Sequence, residues 1–349
     1  MNLSGLIDHV VAALFARDSA PTDDAAERQL VADMTELVVE TVEPRIRLKA
    51  RYADKLEDCV RTTIAHLRTI GRQPLEPLLL ARAAWSDDPR LNAFFAAADD
   101  VPAFLGRSRE LRCFFGDPSQ QDVGEAFALL AMKRDERTVL APQQHGDTVQ
   151  QDVPQVTVSF SGHRLFAPSA TLEGTRLEVG RRIIQRLAQM ALSRIVDLEM
   201  KAATLGERKA WLSARLRLVK LAAEGAGGLL DDPVAARSQI AAMERQLQET
   251  VHDYIETKAS VATLDASIRH IDDVLSHPAQ HVSMQQAPMR LSRMGVRLDD
   301  GDHPDPVNAF ELTELAIGEG QRVAIAIVRC PRTELPPEED LLASAERYL

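Results

Sequence analysis

Three histidines in one short stretch, His270, His277 and His281, are residues whose type suits metal chemistry. Imidazole nitrogens are common zinc ligands. However, the spacings of seven and four residues are unlike the tight pairs of known zinc motifs, and Pro278 interrupts the helix that would carry them. The pattern therefore favours surface histidines with ordinary hydrogen bonds, and we expect neither a metal nor a cofactor to be bound.

An acidic loop could in principle bind calcium, because carboxylates are the ligands that this ion prefers. It contains Asp299, Asp300, Asp302 and Asp305. It lacks the ordered alternation, the central glycine and the closing glutamate of a helix–loop–helix calcium site. We therefore interpret it as a solvated loop.

Asp152, Ser161 and His163 supply the residue types of a hydrolytic triad. Nearness in sequence does not create triad geometry. The small residues over 161–163 are typical of a tight turn between strands, so we expect these side chains to form a turn.

Cys113 follows Arg112, a cation that would lower the pKa of a thiol. The default expectation is nevertheless a buried cysteine. The sequence also lacks the nucleophile elbow, the phosphate-binding glycine-rich loop, the dinucleotide fingerprint and the zinc-protease helix motif. We expect a protein that is not an enzyme, with scattered catalytic residues as the alternative.

The segment Met289–Leu298, followed by Gly318 and the stretch Val323–Val328, resembles part of a PilZ domain. Ser292 and Gly295 match the second motif of that family: an Asp or Asn, any residue, a Ser, two further residues and a Gly. The resemblance covers roughly 40 residues.

PilZ domains bind cyclic di-GMP, so the resemblance implies an atypical receptor for a cyclic di-nucleotide. Arg290 stands where the family has an Asp or Asn, and the paired arginines of its first motif are not found just before this strand. Because of these departures, the resemblance also allows a second interpretation: the protein is a degenerate relative of the family that acts as an interaction module.

Two long amphipathic segments within 172–277 dominate the chain and are joined by the glycine-rich turn Gly225–Gly228. Apolar residues recur every three or four positions in both, which is the spacing of one helix face. Asp232 and Pro233 suit the cap and first position of the second helix. The pattern predicts an antiparallel coiled-coil hairpin with arms of about 45 residues that reach roughly 65 Å.

The two arms carry opposite charge: residues 176–220 have a net charge of +7 and residues 231–275 a net charge of −5. Opposite flanking charges select the partner in helix pairs, so we expect the arms to pair with each other. A basic stripe that faces a nucleic acid or an anionic membrane is the alternative. Exchange of helices between two chains would satisfy the same charges, which leaves a homodimer open.

The remaining sequence predicts an α+β protein that is mostly helical. Residues 1–135 are expected to form an all-helical domain, 136–171 and 282–330 a small antiparallel sheet into which the hairpin 172–277 is inserted, and 331–349 a Pro-rich tail with a short helix. Helices are predicted over 3–17, 24–49, 51–70, 75–85, 89–98, 121–134 and 338–347, and strands over 138–141, 155–161, 164–167, 288–298, 309–317 and 321–329. A phenylalanine-rich stretch within the helical domain is interpreted as core, with an apolar groove as the alternative.

The composition indicates which cellular compartment and which classes of partner to expect. Three cysteines without close spacing favour the reducing cytoplasm. No apolar run is long enough for a transmembrane helix, and the first residues do not match a signal peptide. The net charge of −11 argues against general nucleic-acid binding.

These observations predict a non-enzymatic cytoplasmic scaffold or adaptor. We expect it to contact protein partners through the hairpin tip or the apolar helical domain. The predicted contact residues at the tip are Gly225, Gly227, Gly228, Leu229 and Leu230.

Overall fold

The structure is a computed structural model that describes residues 24–73, 75–145, 148–224, 233–298, 307–320 and 322–337. These residues form both helices and strands, in agreement with the predicted mixture of the two. The α-helices are α1 (Asp24–Val42), α2 (Tyr52–Gly71), α3 (Pro89–Phe94), α4 (Asp100–Arg107), α5 (Arg109–Gly116), α6 (Leu172–Glu224), α7 (Pro233–Ala259), α8 (Leu264–Leu275) and α9 (Pro278–His281). The strands are β1 (Leu78–Leu79), β2 (Glu125–His145), β3 (Thr148–Ser169), β4 (Val282–Ser292), β5 (Val307–Ile317) and β6 (Val323–Pro331).

The five long strands form one antiparallel sheet in the order β3-β2-β6-β5-β4, and the short β1 pairs with β6 in parallel. Beyond β4, the Gly295 carbonyl accepts a hydrogen bond from Val158 N at 2.7 Å, and Arg297 N donates to the Val156 carbonyl at 2.8 Å. The sheet therefore curls until the chain that leaves β4 meets β3.

The chain divides into two compact units. The first contains residues 1–30, 64–183 and 278–349, and the second contains 31–63 and 184–277. The core of the first unit combines small and large apolar residues of the sheet with side chains of α3, α4 and α5. Its members include Leu91, Phe95, Leu105, Leu111, Ala126, Ala128, Leu130 and Val328.

Within the second unit, α2 and α8 are joined by a buried hydrogen bond from Thr63 Oγ1 to the Leu275 carbonyl at 2.7 Å. Asp265 at the start of α8 pairs with Lys55 at 3.1 Å. Apolar side chains of α8 such as Ile271 and Val274 are fully buried. Helix α8 therefore contributes buried side chains to this core.

Several predicted elements are correct. The strands expected over 309–317 and 321–329 correspond to β5 and β6, whereas β4 covers only 288–292 of the strand expected over 288–298 and begins earlier, at Val282. The first long helix ends at Val42, and a 3-10 turn over Pro44–Leu48 follows. The helix predicted over 24–49 is therefore too long, because the ring of Pro44 cannot continue an α-helix.

The helices predicted over 75–85 and 121–134 are wrong. The first region holds β1 and a 3-10 turn over Arg82–Ala84, and the second is the beginning of β2. Residues 1–135 are consequently not all helical where the structure describes them. Residues 125–132 are rich in Ala, Leu and Met, which favour helices in isolation, but pairing with two neighbouring strands overrides that preference.

The tight turn predicted at 161–163 is also wrong, because β3 continues through it. Ala131 faces Arg164 and Lys133 faces Ser161, so one extra residue is accommodated there in a β-bulge. Gly162 adopts a φ of +62°, a conformation that glycine takes without steric cost.

Candidate functional site

Helix α6 buries one of its faces in the second unit. It has 53 residues, which corresponds to a length of about 80 Å. Buried side chains recur along it at steps of four, seven or ten residues, which are one, two and three helical turns: Ala191, Ile195, Ala202, Leu212 and Leu216. This spacing is that of a helix face packed against neighbouring helices.

The opposite face of α6 is exposed and carries large apolar side chains before and after the exposed Glu207. We call Val196, Met200, Trp211, Leu218 and Leu221 the exposed stripe. Trp211, Leu218 and Leu221 expose 55%, 67% and 59% of their surface. At 100° per residue these side chains lie on one side of the helix, away from its buried face. Large apolar side chains that share one exposed face are typical of a partner-binding surface.

A row of cations borders the exposed stripe. Lys201, Arg208 and Arg215 follow each other at steps of seven residues and are all exposed. Arg215 lies over the Trp211 ring at 5.1 Å. Among the residues that the structure describes, no ion pair is formed by these three side chains. This basic row therefore leaves positive charge available beside an apolar surface.

Contacts between α6 and α7 lie away from the exposed stripe. Lys220 Nζ pairs with Glu244 Oε1 at 2.7 Å, and Lys209 Nζ lies 4.4 Å from the centre of the Tyr254 ring. Gly206 faces the same ring. Beside these contacts, the stripe stays exposed among the described residues.

The predicted tip residues Gly225, Gly227, Gly228, Leu229 and Leu230 lie outside the described residues, as do the acidic loop over 299–306 and the predicted helices over 3–17 and 338–347.

Two of the histidines considered for zinc, His270 and His277, contact backbone carbonyls. His270 Nε2 contacts the Ser260 carbonyl at 3.0 Å, and His277 Nδ1 contacts the Asp273 carbonyl at 3.0 Å. In the described part of the chain, no three His, Cys, Asp or Glu side chains come together as a metal site would require.

Ser292 and Gly295, the residues of the PilZ-like motif, shape the turn after β4. Ser292 Oγ accepts hydrogen bonds from Met294 N and Val296 N, both at 3.2 Å. Gly295 has a φ of +74°, and a Cβ there would lie 2.7 Å from the Val158 carbonyl oxygen. Both residues therefore have structural roles where the sheet edges meet.

Ser161 and His163 do not form a triad. Ser161 Oγ donates to Asp135 Oδ2 at 2.8 Å, whereas His163 Nε2 contacts the Phe94 carbonyl at 2.8 Å. The His163 ring stacks on Phe95 with 4.7 Å between ring centres, and burial lowers the pKa of this histidine. The bulge at Gly162 accounts for the different directions, because a bulge changes the alternation of side chains along a strand.

The cysteines differ in exposure. Cys113 is exposed, so the expectation of a buried thiol is wrong at this position. Cys59 and Cys330 are buried, and burial raises the pKa of each thiol to about 12. These two thiols are therefore protonated at neutral pH.

The phenylalanine-rich stretch contributes to the core, as predicted. Phe94, Phe95 and Phe115 are buried, and Phe104 and Phe114 pack against them while partly exposed. Phe104, together with Phe94 and Phe95, also lines a cleft that the sequence did not distinguish from the core.

Helices long and apolar enough to cross a bilayer are absent from the described residues. None of the known family models matches this chain, and no curated protein and no solved structure matches it either.

Proposed function

We propose that this protein is a non-enzymatic cytoplasmic adaptor and that the exposed stripe of α6 binds an amphipathic helix of a partner protein. The observation that carries the proposal is the row of large apolar side chains exposed on the face opposite the buried one. Helices recognise apolar surfaces through residues at steps of three and four, and the stripe offers a surface with that spacing.

The basic row indicates the charge of the partner. Lys201, Arg208 and Arg215 border the stripe, so a partner helix with acidic residues beside its apolar face is electrostatically complementary. A second copy of α6 laid antiparallel along the stripe would bring its own basic row to the same edge. Like charges in that position disfavour self-association through this surface.

We further propose that α6 and α7 form the two arms of an antiparallel coiled-coil hairpin. The order of contacts supports this proposal: Lys220 pairs with Glu244, and Lys209, earlier in α6, contacts Tyr254, later in α7. Arg194, earlier still, pairs with Asp273 in α8. Contacts that run in opposite chain directions are those of antiparallel helices.

The adaptor proposal is tested with two synthetic helical peptides that have the same leucine heptads. One carries glutamate and the other lysine at the flanking positions. We expect the acidic peptide to bind in the micromolar range, more weakly as salt increases, and the basic peptide not to bind. Fluorescence anisotropy of labelled peptides provides the measurement.

Variants locate the binding surface. Trp211→Glu/Leu218→Glu should weaken binding of the acidic peptide at least about tenfold, because it removes central apolar anchors and adds negative charge. Met294→Glu is the matched control, since Met294 is 85% exposed but lies in the other compact unit. Equal effects of both changes, or equal binding of both peptides, would contradict the proposal. Binding of the wild type to anionic vesicles but to neither peptide would identify a membrane surface instead.

The cyclic di-nucleotide receptor and the enzyme with scattered residues remain predictions. Ser292 and Gly295 shape the turn after β4, whichever of these predictions is correct. Calorimetric titration with cyclic di-GMP tests the receptor directly, and saturable heat would favour it over a module that acts only through protein contacts.

A further inference from the structure

A second surface, independent of the adaptor proposal, is a cleft in the first compact unit. It lies between α4 and α5 on one side and β3 on the other, and its volume is about 640 Å³. Pockets for small molecules usually enclose roughly 300–1,000 Å³. The cleft therefore has the size of a binding site for a small organic molecule.

The apolar part of the cleft consists of aromatic rings that are held in place by one another. His163 stacks on Phe95, and Phe104 meets the His163 ring at 63° with 5.8 Å between ring centres. Phe160 meets Phe94 edge to face at 4.9 Å. The hydrogen bond from His163 to the Phe94 carbonyl fixes the imidazole. A surface of fixed rings suits a flat apolar ligand.

The acidic groups of the cleft are already engaged. The Glu110 carboxylate accepts two hydrogen bonds from the Arg182 guanidinium, each at 2.9 Å, and one from Ala167 N at 3.1 Å. Asp100 accepts a hydrogen bond from Ala97 N at 2.9 Å. These carboxylates connect parts of the fold to each other.

The arginines of the cleft, unlike its carboxylates, have no described partner. Arg107, Arg109 and Arg164 line it and are exposed. Within the described residues, none of the three guanidinium groups forms an ion pair or a hydrogen bond. Guanidinium groups bind phosphate and carboxylate groups through paired hydrogen bonds. The cleft thus combines an aromatic wall with three guanidinium groups that form no ion pair within the described residues.

We propose that this cleft binds an organic anion, with a flat apolar body against the aromatic rings and a phosphate, sulfonate or carboxylate group beside Arg107, Arg109 and Arg164.

The test uses 1-naphthyl phosphate as the probe and the full-length chain. We expect saturable binding, measured by calorimetry and by the fluorescence of the probe. Inorganic phosphate lacks the apolar body and 1-naphthol lacks the charge, so each should bind at least about tenfold more weakly. Naphthalene-1-sulfonate and 1-naphthoate then show which anionic group the arginines prefer. No saturable binding of any of the three naphthyl anions would overturn the proposal.

Two variants locate the site. Arg107→Gln/Arg109→Gln/Arg164→Gln should weaken probe binding by about tenfold or more. Lys201→Gln/Arg208→Gln/Arg217→Gln removes the same charge from exposed positions of α6 and should change binding less than about twofold. Equal weakening by the two triple variants would show a general charge effect and overturn the proposal.

A third variant fills the cleft without changing its charge. Ala103 lines the cleft and is exposed, so Ala103→Trp should fold normally and exclude the naphthyl ring. Unfolding curves that match the wild type verify the fold. Unchanged probe affinity in this folded variant would also overturn the proposed position of the ligand.

Discussion

Gly162 and Gly295 both take left-handed backbone conformations, but their surroundings differ. A Cβ at Gly162 would meet no atom within 4 Å, whereas a Cβ at Gly295 would lie 2.7 Å from the Val158 carbonyl oxygen. The N–H of Val158 donates a hydrogen bond to the Gly295 carbonyl. This contact lies where β3 meets the chain that follows β4. Substitutions at the two glycines can therefore be compared to separate the free-energy cost of a strained backbone from the cost of a steric clash.

We expect Gly162→Ala to lower the free energy of unfolding by about 1–2 kcal/mol through backbone strain alone. Gly295→Ala should lower it by a further 1 kcal/mol or more, about the cost of disturbing one hydrogen bond. Denaturant unfolding of both variants provides the measurement. Gly124→Ala is the control, because that glycine has neither a positive φ nor a close neighbour. Equal losses at Gly162 and Gly295 would show that the contact with Val158 relaxes.

The burial of His163 makes stability depend on pH. Burial lowers its pKa below the ordinary 6.5, and the hydrogen bond to Phe94 and the charge of Asp100 only partly oppose this. As the pH falls, the unfolded chain therefore binds a proton before the folded protein does. The stabilising contribution is complete above pH 6.5 and is lost as the pH falls through the folded-state pKa.

We expect the free energy of unfolding to decrease between pH 7.5 and pH 5, and to decrease less in His163→Phe. Denaturant unfolding at a series of pH values measures both slopes. The comparison uses the slope because the phenylalanine variant also loses the hydrogen bond to Phe94. Identical slopes would mean that His163 titrates as it does in the unfolded chain.

Among the elements, the second arm of the long helical region is interrupted where a single helix was predicted. Helix α7 ends at Ala259 and α8 begins at Leu264. Thr263 precedes α8, and its Oγ1 accepts a hydrogen bond from Ala266 N at 3.1 Å. The side chain satisfies a backbone donor that the first turn of a helix leaves without a partner.

Replacing this cap should destabilise the second compact unit. We expect Thr263→Ala to lower the free energy of unfolding by about 1 kcal/mol, whereas Thr263→Ser keeps the hydroxyl and should stay close to the wild type. Thermal unfolding monitored by circular dichroism measures the difference. If alanine and serine behaved alike, the hydroxyl would not stabilise α8.

The sequence predicts elements best where local pattern and long-range pairing agree. Val323, Ile325 and Ile327 alternate with small residues, and β6 forms there. Residues 125–132 have the composition of a helix but become a strand because their partners, 324–331, are distant in sequence. Likewise the cleft depends on the bulge at Gly162 and on helices α4 and α5. The local sequence pattern predicted neither the bulge nor these two helices. The exposed stripe differs from these cases. The sequence shows the helical spacing of its apolar residues, but it does not show which face of α6 packs against other helices.

At the level of the whole molecule, the predicted domain border at residue 135 falls inside β2. A fragment of residues 1–135 contains β1 and half of β2 but lacks β3 and β6, the strands that pair with β2. We expect this fragment to unfold without a cooperative transition, because its sheet residues have no partners. Circular dichroism during urea titration, with the full chain as reference, is the measurement. A sharp transition would restore the prediction of an independent N-terminal domain.

The position of β6 has a consequence for synthesis in the cell. This strand is central in the sheet but comes last in the chain among the described strands, and Ala126 of β2 pairs with Cys330 of β6. At typical elongation rates, a ribosome needs roughly 10–40 s to translate the 200 or so residues between them. Until then the inner edge of β2 has no neighbour, so the sheet assembles only after the helical insertion has been translated. The length of α6, α7 and α8 therefore sets how long a nascent chain carries an open strand edge, and open edges favour aggregation.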